Sequence, residues 1–229
     1  RAVGALASAE DAFSRARQRA ADPGTAADAA DGLGETFILA GKVEMALAVG
    51  GELLAMLGSL SPAPERVGAV HLRLARAALT ASDTVVAEGH LERARASGAD
   101  GDVGEIAARA DAIEARIASE RGDHDHAREL ARGALAMADH LALPDLRCEA
   151  LEQLGRVART RDAEEAEQAF EEALRVAEEH DLAVWRIRAL FELTTIDLYL
   201  VRSDERMVTT RDLAMASGAL ATAAQVDFH

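Results

Sequence analysis

This sequence predicts an all-α fold, one repeat domain over residues 1–229 built from about eleven or twelve helices in antiparallel pairs. Three observations carry the prediction. Alanine is abundant while aromatic residues make up only 3% of the chain, and alanine favours helix whereas strands favour aromatic and β-branched residues. A polar turn pattern recurs at close to 40 residues. All four prolines, Pro23, Pro62, Pro64 and Pro144, fall between one proposed pair and the next, where helices should stop.

The elements follow in order. A partial helix at 5–20 precedes pairs at 25–40 with 42–57, 65–80 with 83–97, 103–120 with 123–140, 145–159 with 162–180, and 182–201 with 203–216. Another helix begins near 219. The turns LAGKVEMAL, LTASDTVVA, SERGDHDHA, RTRDAEEA and YLVRSDERM align so that Lys42, Asp83, Asp123, Asp162 and Asp204 share one column. Four residues on come Ala46, Ala87, Ala127 and Ala166, and seven beyond those come Leu53, Ala94, Ala134 and Ala173. A seven-residue step returns to nearly the same helix face, so each pair of positions looks at one neighbour. Asp162 with Glu165 reads as a capping box. Neither helix of a pair can bury its apolar face alone, so successive pairs must stack into a superhelix.

Charge and composition exclude several functions. The formal charge is −15, and residues 101–200 hold 23 acidic against 12 basic side chains. Such a surface repels a phosphate backbone, so direct nucleic-acid binding is not expected. Lys42 is the single lysine among 25 basic residues, an arginine bias of the kind seen with GC-rich bacterial genomes. Cys148 cannot form an internal disulfide and is expected to act as a small packing residue. No apolar run approaches the roughly 18–20 residues that span a bilayer, and the opening RAVGALASAED lacks the apolar core of a signal peptide. The expectation is a cytoplasmic protein without membrane contact. The chain starts without Met and stops in ATAAQVDFH, which reads as part of another helix, so a fragment of a longer chain is expected.

Candidate chemistry is thin. RGDHDHAREL (121–130) gathers His124, His126, Asp123 and Asp125, but residues two apart on a helix point about 200° apart and cannot share one ion. Asp123 is better read as an N-cap, with Asp125 complementing the helix dipole. Gly41-Lys42 is not a P-loop, because Thr36 and Val43 occupy the positions that need glycine and a hydroxyl. The pairs Glu164-Glu165, Glu171-Glu172 and Glu178-Glu179 read as solvated helix faces. No enzyme active site and no cofactor are expected in this segment. Trp185 should be mostly buried between the fourth and fifth pairs.

The pattern resembles the tetratricopeptide repeat. Leu33-Gly34 with Phe37 and then Ala46 matches its first part, Ala166, Phe170 and Ala173 its second, and Leu154-Gly155 fits with one residue deleted. The period here is longer, and the family's signature Trp and Pro are mostly absent. The resemblance implies a right-handed superhelix with a concave groove. Arg76, Arg116 and Arg156, spaced by 40 and 40, would face that groove and suit carboxylate or phosphate groups, unless each pairs with a glutamate of the adjacent helix.

Residues 142–229 also resemble the helical region of large ATP-binding LuxR-family regulators of actinobacteria, chiefly in AVWRIRAL around Trp185 and in TIDL at 195–198. That resemblance implies a sensor or scaffold segment of a transcriptional regulator that binds a partner protein, a peptide or a small effector. ATP and DNA binding would reside in domains outside these residues. The rival reading is a standalone tetratricopeptide-like adaptor or co-chaperone.

Overall fold

The computed structural model describes residues 5–60, 62–97, 103–159, 161–200, 202, 205–217 and 223. Among these residues the fold is all-helical, with eleven helices: α1 (Ala5–Arg19), α2 (Pro23–Leu39), α3 (Val43–Leu60), α4 (Pro64–Thr80), α5 (Thr84–Ser97), α6 (Val103–Glu120), α7 (His124–Leu141), α8 (Pro144–Ala158), α9 (Ala163–Glu179), α10 (Ala183–Tyr199) and α11 (Glu205–Ser217). The pairs are α2/α3, α4/α5, α6/α7, α8/α9 and α10/α11. Asp204 and the helix expected near 219 lie outside the described residues, apart from the single helical residue Ala223.

Local chemistry sets the helix ends. Pro23, Pro64 and Pro144 each open the first helix of a pair, where an amide proton is not needed. Between the helices of a pair the chain turns through a left-handed residue, Gly41 (φ 72°), Ser82 (φ 61°) or Gly122 (φ 83°). The next N–H then closes the preceding helix: Lys42 onto the Phe37 carbonyl (2.8 Å), Asp83 onto Ala78 (2.9 Å) and Asp123 onto Ala118 (2.9 Å). The aspartates of this column work in both directions, because their carboxylates also accept from the first turn of the following helix. Asp83 takes Val86 N–H (3.0 Å), Asp123 takes His126 N–H, and Asp162 takes Glu164 and Glu165 N–H.

The polar stretch at 121–130 is therefore a turn and a cap. Among the described residues no group of three or more His, Cys, Asp or Glu side chains is placed to hold a metal. At Asp162 the closing bond runs to Ala158, four residues back rather than five, which accounts for the repeat step of 39 there. The capping box at that position forms by half: the Glu165 carboxylate is taken by Arg128 of α7.

The chain divides into two compact units, residues 1–107 and 108–214 in the main. In the first unit, α1 packs on α2, α2 on α3, α3 on α4 and α4 on α5. Its core gathers Leu33, Phe37, Leu53, Leu57, Val70 and Leu74. Gly50 has no Cβ because the Leu74 side chain occupies that space. One expectation changes here. α3 is 18 residues long with a mean hydropathy of 1.5, long and apolar enough by length and composition to cross a membrane. Glu44 and Glu52 interrupt its apolar run in sequence, while Ala46, Val49, Leu53 and Leu57 are buried within the unit.

The first unit also holds a histidine pair. His71 Nδ1 of α4 lies 3.0 Å from His90 Nδ1 of α5, so one ring donates and the other accepts. Burial, helped by the charges of His90 and Arg93, pushes His71 down to about 4, and burial also lowers His90. Both folded-state values lie below those of the unfolded chain, so the unfolded state takes up protons first as pH falls from 6.5 toward 4. The urea midpoint is expected to drop between pH 7 and pH 5, and the drop should shrink in His71→Leu. An unchanged wild-type midpoint would contradict this.

In the second unit, α7 packs on α8, α8 on α9 and α9 on α10. The alanine columns face inward as their spacing requires. Ala127, Ala134 and Ala166 are fully buried and Ala173 nearly so; in the first unit the same holds for Ala46, Ala87, Leu53 and Ala94. Ala134 lies among Ala108, Ala112, Ala138, Leu146 and Ala150, a set of mostly small side chains that lets helices approach closely. Ala134→Leu should overpack this layer and cost about 1–3 kcal/mol in denaturant melts.

Candidate functional site

The first helices of the pairs in the second unit, α6, α8 and α10, line a depression of about 510 Å³ together with His124 at the start of α7. Glu192 lines it and shares Arg156 with Glu152 of α8; both glutamates stand at positions that elsewhere in the repeat are apolar. Glu152 of α8 and Glu192 of α10 are each only 2% exposed. A carboxylate can remain ionised at that depth only with cations beside it, and arginines of neighbouring turns supply them. Arg188 reaches back from α10 to hold Glu152 through two bonds (2.7 and 2.8 Å). Arg156 bridges both acids, with Nε 2.7 Å from Glu192 and its terminal nitrogen 2.8 Å from Glu152. Arg159 holds the other Glu192 oxygen at 2.8 Å.

Burial opposes ionisation of Glu152, but Arg156, Arg188 and Arg116 more than offset it and hold the carboxyl at about 2. The same carboxylates raise Arg156 above the usual guanidinium range, against the effect of its own burial. Because the Glu152 value lies below that of an unfolded glutamate, its stabilisation is complete above about pH 4.5 and is lost as pH falls toward 2. At the rim, Arg116 of α6 pairs with Glu120 (2.8 Å).

The three arginines singled out by their spacing are placed as follows. Arg116 and Arg156 both line the depression, on α6 and α8, and Arg156 is held by glutamates of its own chain. Arg76 lies at the matching position of α4, in the first unit. Reading the sequence missed Glu152, Glu192, Arg159 and Gln153. A usable signal existed for the first two, since they are also 40 residues apart and each follows a column arginine by 36.

Gln153, beside Glu152 on α8, is 3% exposed, and its side-chain oxygen accepts no hydrogen bond from the protein. The His124 Nδ1 is likewise buried without a partner. Both line the depression, as do Phe191, Thr195 and the exposed ring of Tyr199. Trp185 stands apart from it, partly buried on Cys148, Val176 and Ala177. The Arg188 guanidinium stacks over its ring at 4.4 Å. Burial pushes the Cys148 thiol up to about 12, and its Sγ faces the Ala173 carbonyl, which suits a packing residue rather than a nucleophile.

No known protein-family profile matches the chain. No curated protein matches it either. Solved structures do: the crystal structure of BtubC (BKLC) from P. vanneervenii aligns with a TM-score of 0.57 over 99% of this chain and 89% of that one, at 16% identity. At that identity the likeness establishes a shared helical fold.

Proposed function

We propose that the chain is a non-catalytic binding segment for a partner protein or an effector, and that α6, α8 and α10 present its binding surface. The observation that carries this reading is the depression on those helices. It brings the guanidinium groups of Arg116, Arg156 and Arg159 together with Phe191 and Tyr199. Arg116 and Arg156 line it, and Arg76 would present the same chemistry on α4 of the first unit. The similarity of AVWRIRAL and TIDL to LuxR-family ATP-dependent regulators supplies the context: a cytoplasmic sensor or scaffold segment whose NTPase and helix-turn-helix domains lie outside these residues.

The full reading frame tests that context, since a Walker A motif upstream and a helix-turn-helix downstream should both be present. Calorimetry with ATP and filter binding with duplex DNA at moderate salt should show no saturable binding by these 229 residues. Micromolar binding of either ligand would overturn the assignment of those tasks to other domains.

A further inference from the structure

We infer that His71 of α4 and His90 of α5 form a two-coordinate site for monovalent copper, with the ion held in line between their Nδ1 atoms. The inference concerns the first unit and stands independently of the depression and its binding reading.

The two Nδ1 atoms face one another at 3.0 Å, with ring centroids 5.2 Å apart and the rings tilted by 36°. The repeat does not require this pair. His90 follows Asp83 by seven residues, and at the same step Val49, Leu130 and Ala169 follow Lys42, Asp123 and Asp162. An apolar side chain therefore serves the stack at that position. His71 is 8% exposed and His90 is half-buried. Neither Nε2 bonds to the protein or is buried without a partner, so both meet water.

Metal binding needs both Nδ1 lone pairs. In the hydrogen-bonded pair one ring carries its proton on Nδ1 and the other on Nε2. Moving the first proton to the water-facing Nε2 bares both Nδ1 atoms, with both rings still neutral and no net proton released. The ion then takes the place of the bridging proton. Two metal–nitrogen bonds of roughly 2.0 Å in line span about 4 Å, so the Nδ1 atoms must part by about 1 Å. Rotation of the half-buried His90 side chain supplies that movement.

Imidazole nitrogens suit copper, and three features select the monovalent ion. The opposed lone pairs match linear coordination, whereas zinc takes four tetrahedral ligands. Among the described residues no third His, Cys, Asp or Glu joins the pair. Arg93, on the next turn of α5, adds positive charge that acts on both rings, which penalises a divalent ion more than a monovalent one.

The test is anaerobic addition of Cu(I) to the 229-residue chain at neutral pH, followed by long-range proton–nitrogen spectra of the imidazoles. Before addition, one ring of the pair should carry Nδ1–H and the other Nε2–H. One equivalent should shift the Nδ1 resonances of His71 and His90 and leave both rings protonated at Nε2. The other five of the seven histidines should not move. X-ray absorption at the copper edge should show two nitrogen neighbours and no sulfur. His71→Leu and His90→Leu should each bind Cu(I) at least about tenfold more weakly, since losing a ligand costs no less than losing a group that orients one. Zn(II) should bind the parent at least as much more weakly than Cu(I) does.

The parent spectra identify the ligands even where a variant unfolds. No uptake of the first equivalent, shifts at other histidines in place of this pair, or ligation through Nε2 would overturn the inference. So would four-coordinate copper, Zn(II) binding as tight as Cu(I), or a folded single variant that binds Cu(I) as tightly as the parent.

Discussion

Glu192→Ala should cost about 3 kcal/mol, the lower end of the 3–5 kcal/mol seen when one partner of a buried ion pair is removed. The substitution takes two bonds from Arg156 and Arg159 at once and leaves Arg156 with Glu152 as its remaining buried partner. The lower end applies because the two arginine side chains are still 30% and 32% exposed and can recruit water. Glu192→Gln keeps the shape and one acceptor, so it should cost less. The double change Glu192→Met with Arg156→Leu should recover part of the loss, since Glu152 keeps both Arg188 bonds and Arg159, 32% exposed, can turn to water. Urea melts of the four proteins test this. If Glu192→Ala melted within about 0.5 kcal/mol of the parent, solvent rather than Arg156 and Arg159 would be holding the carboxylate.

Phe170→Ala should cost about 3–5 kcal/mol. The ring is fully buried among Ala158, Ala166, Leu193 and Ile196, and it fills the space beside Gly155. A Cβ placed on Gly155 would come within 2.4 Å of the ring. Gly155→Ala alone should therefore destabilise by about 1–3 kcal/mol despite the better helix propensity of alanine. Once the ring is gone that propensity should reassert itself, and Gly155→Ala in the Phe170→Ala background should be neutral or stabilising. The double-mutant cycle isolates this coupling. Additive costs would mean that the ring relaxes away from position 155.

The same pair explains why the repeat was legible. Gly34, Ala75, Ala115 and Gly155 occupy one column of the first helices, and Gly50, Leu91, Ala131 and Phe170 occupy one of the second. Phe170, the largest of the second set, meets a glycine. Gly50 of the second set instead leaves its space to Leu74, so the column positions persist while the residue types vary, and spacing was a better guide than residue identity. Helix limits, turn chemistry and the buried alanine faces all followed from patterns a few residues long. Hydrogen bonds, caps and helix-face periodicity act over that range in the chain, so reading along the chain captures them.

Charges behaved differently. Glu164, Glu171, Glu178 and Glu179 are exposed as expected, whereas Glu165 and Glu172 are partly covered by ion pairs with Arg128 and Arg147. Glu152 and Glu192 look in the sequence like two more acids of an acidic protein, yet they are among its most buried side chains. Each is held by an arginine brought within hydrogen-bonding reach from 36 residues away, yet Glu165, held by Arg128 from 37 away, stays far more exposed, so the packing around the pair decides the depth. Composition and periodicity along the chain determined an all-α protein of paired helices, where each pair turns and which faces close. Tertiary packing alone decided which acids leave water, which arginine keeps an open edge and which glutamine is left without a donor, because burial and pairing belong to the space between helices.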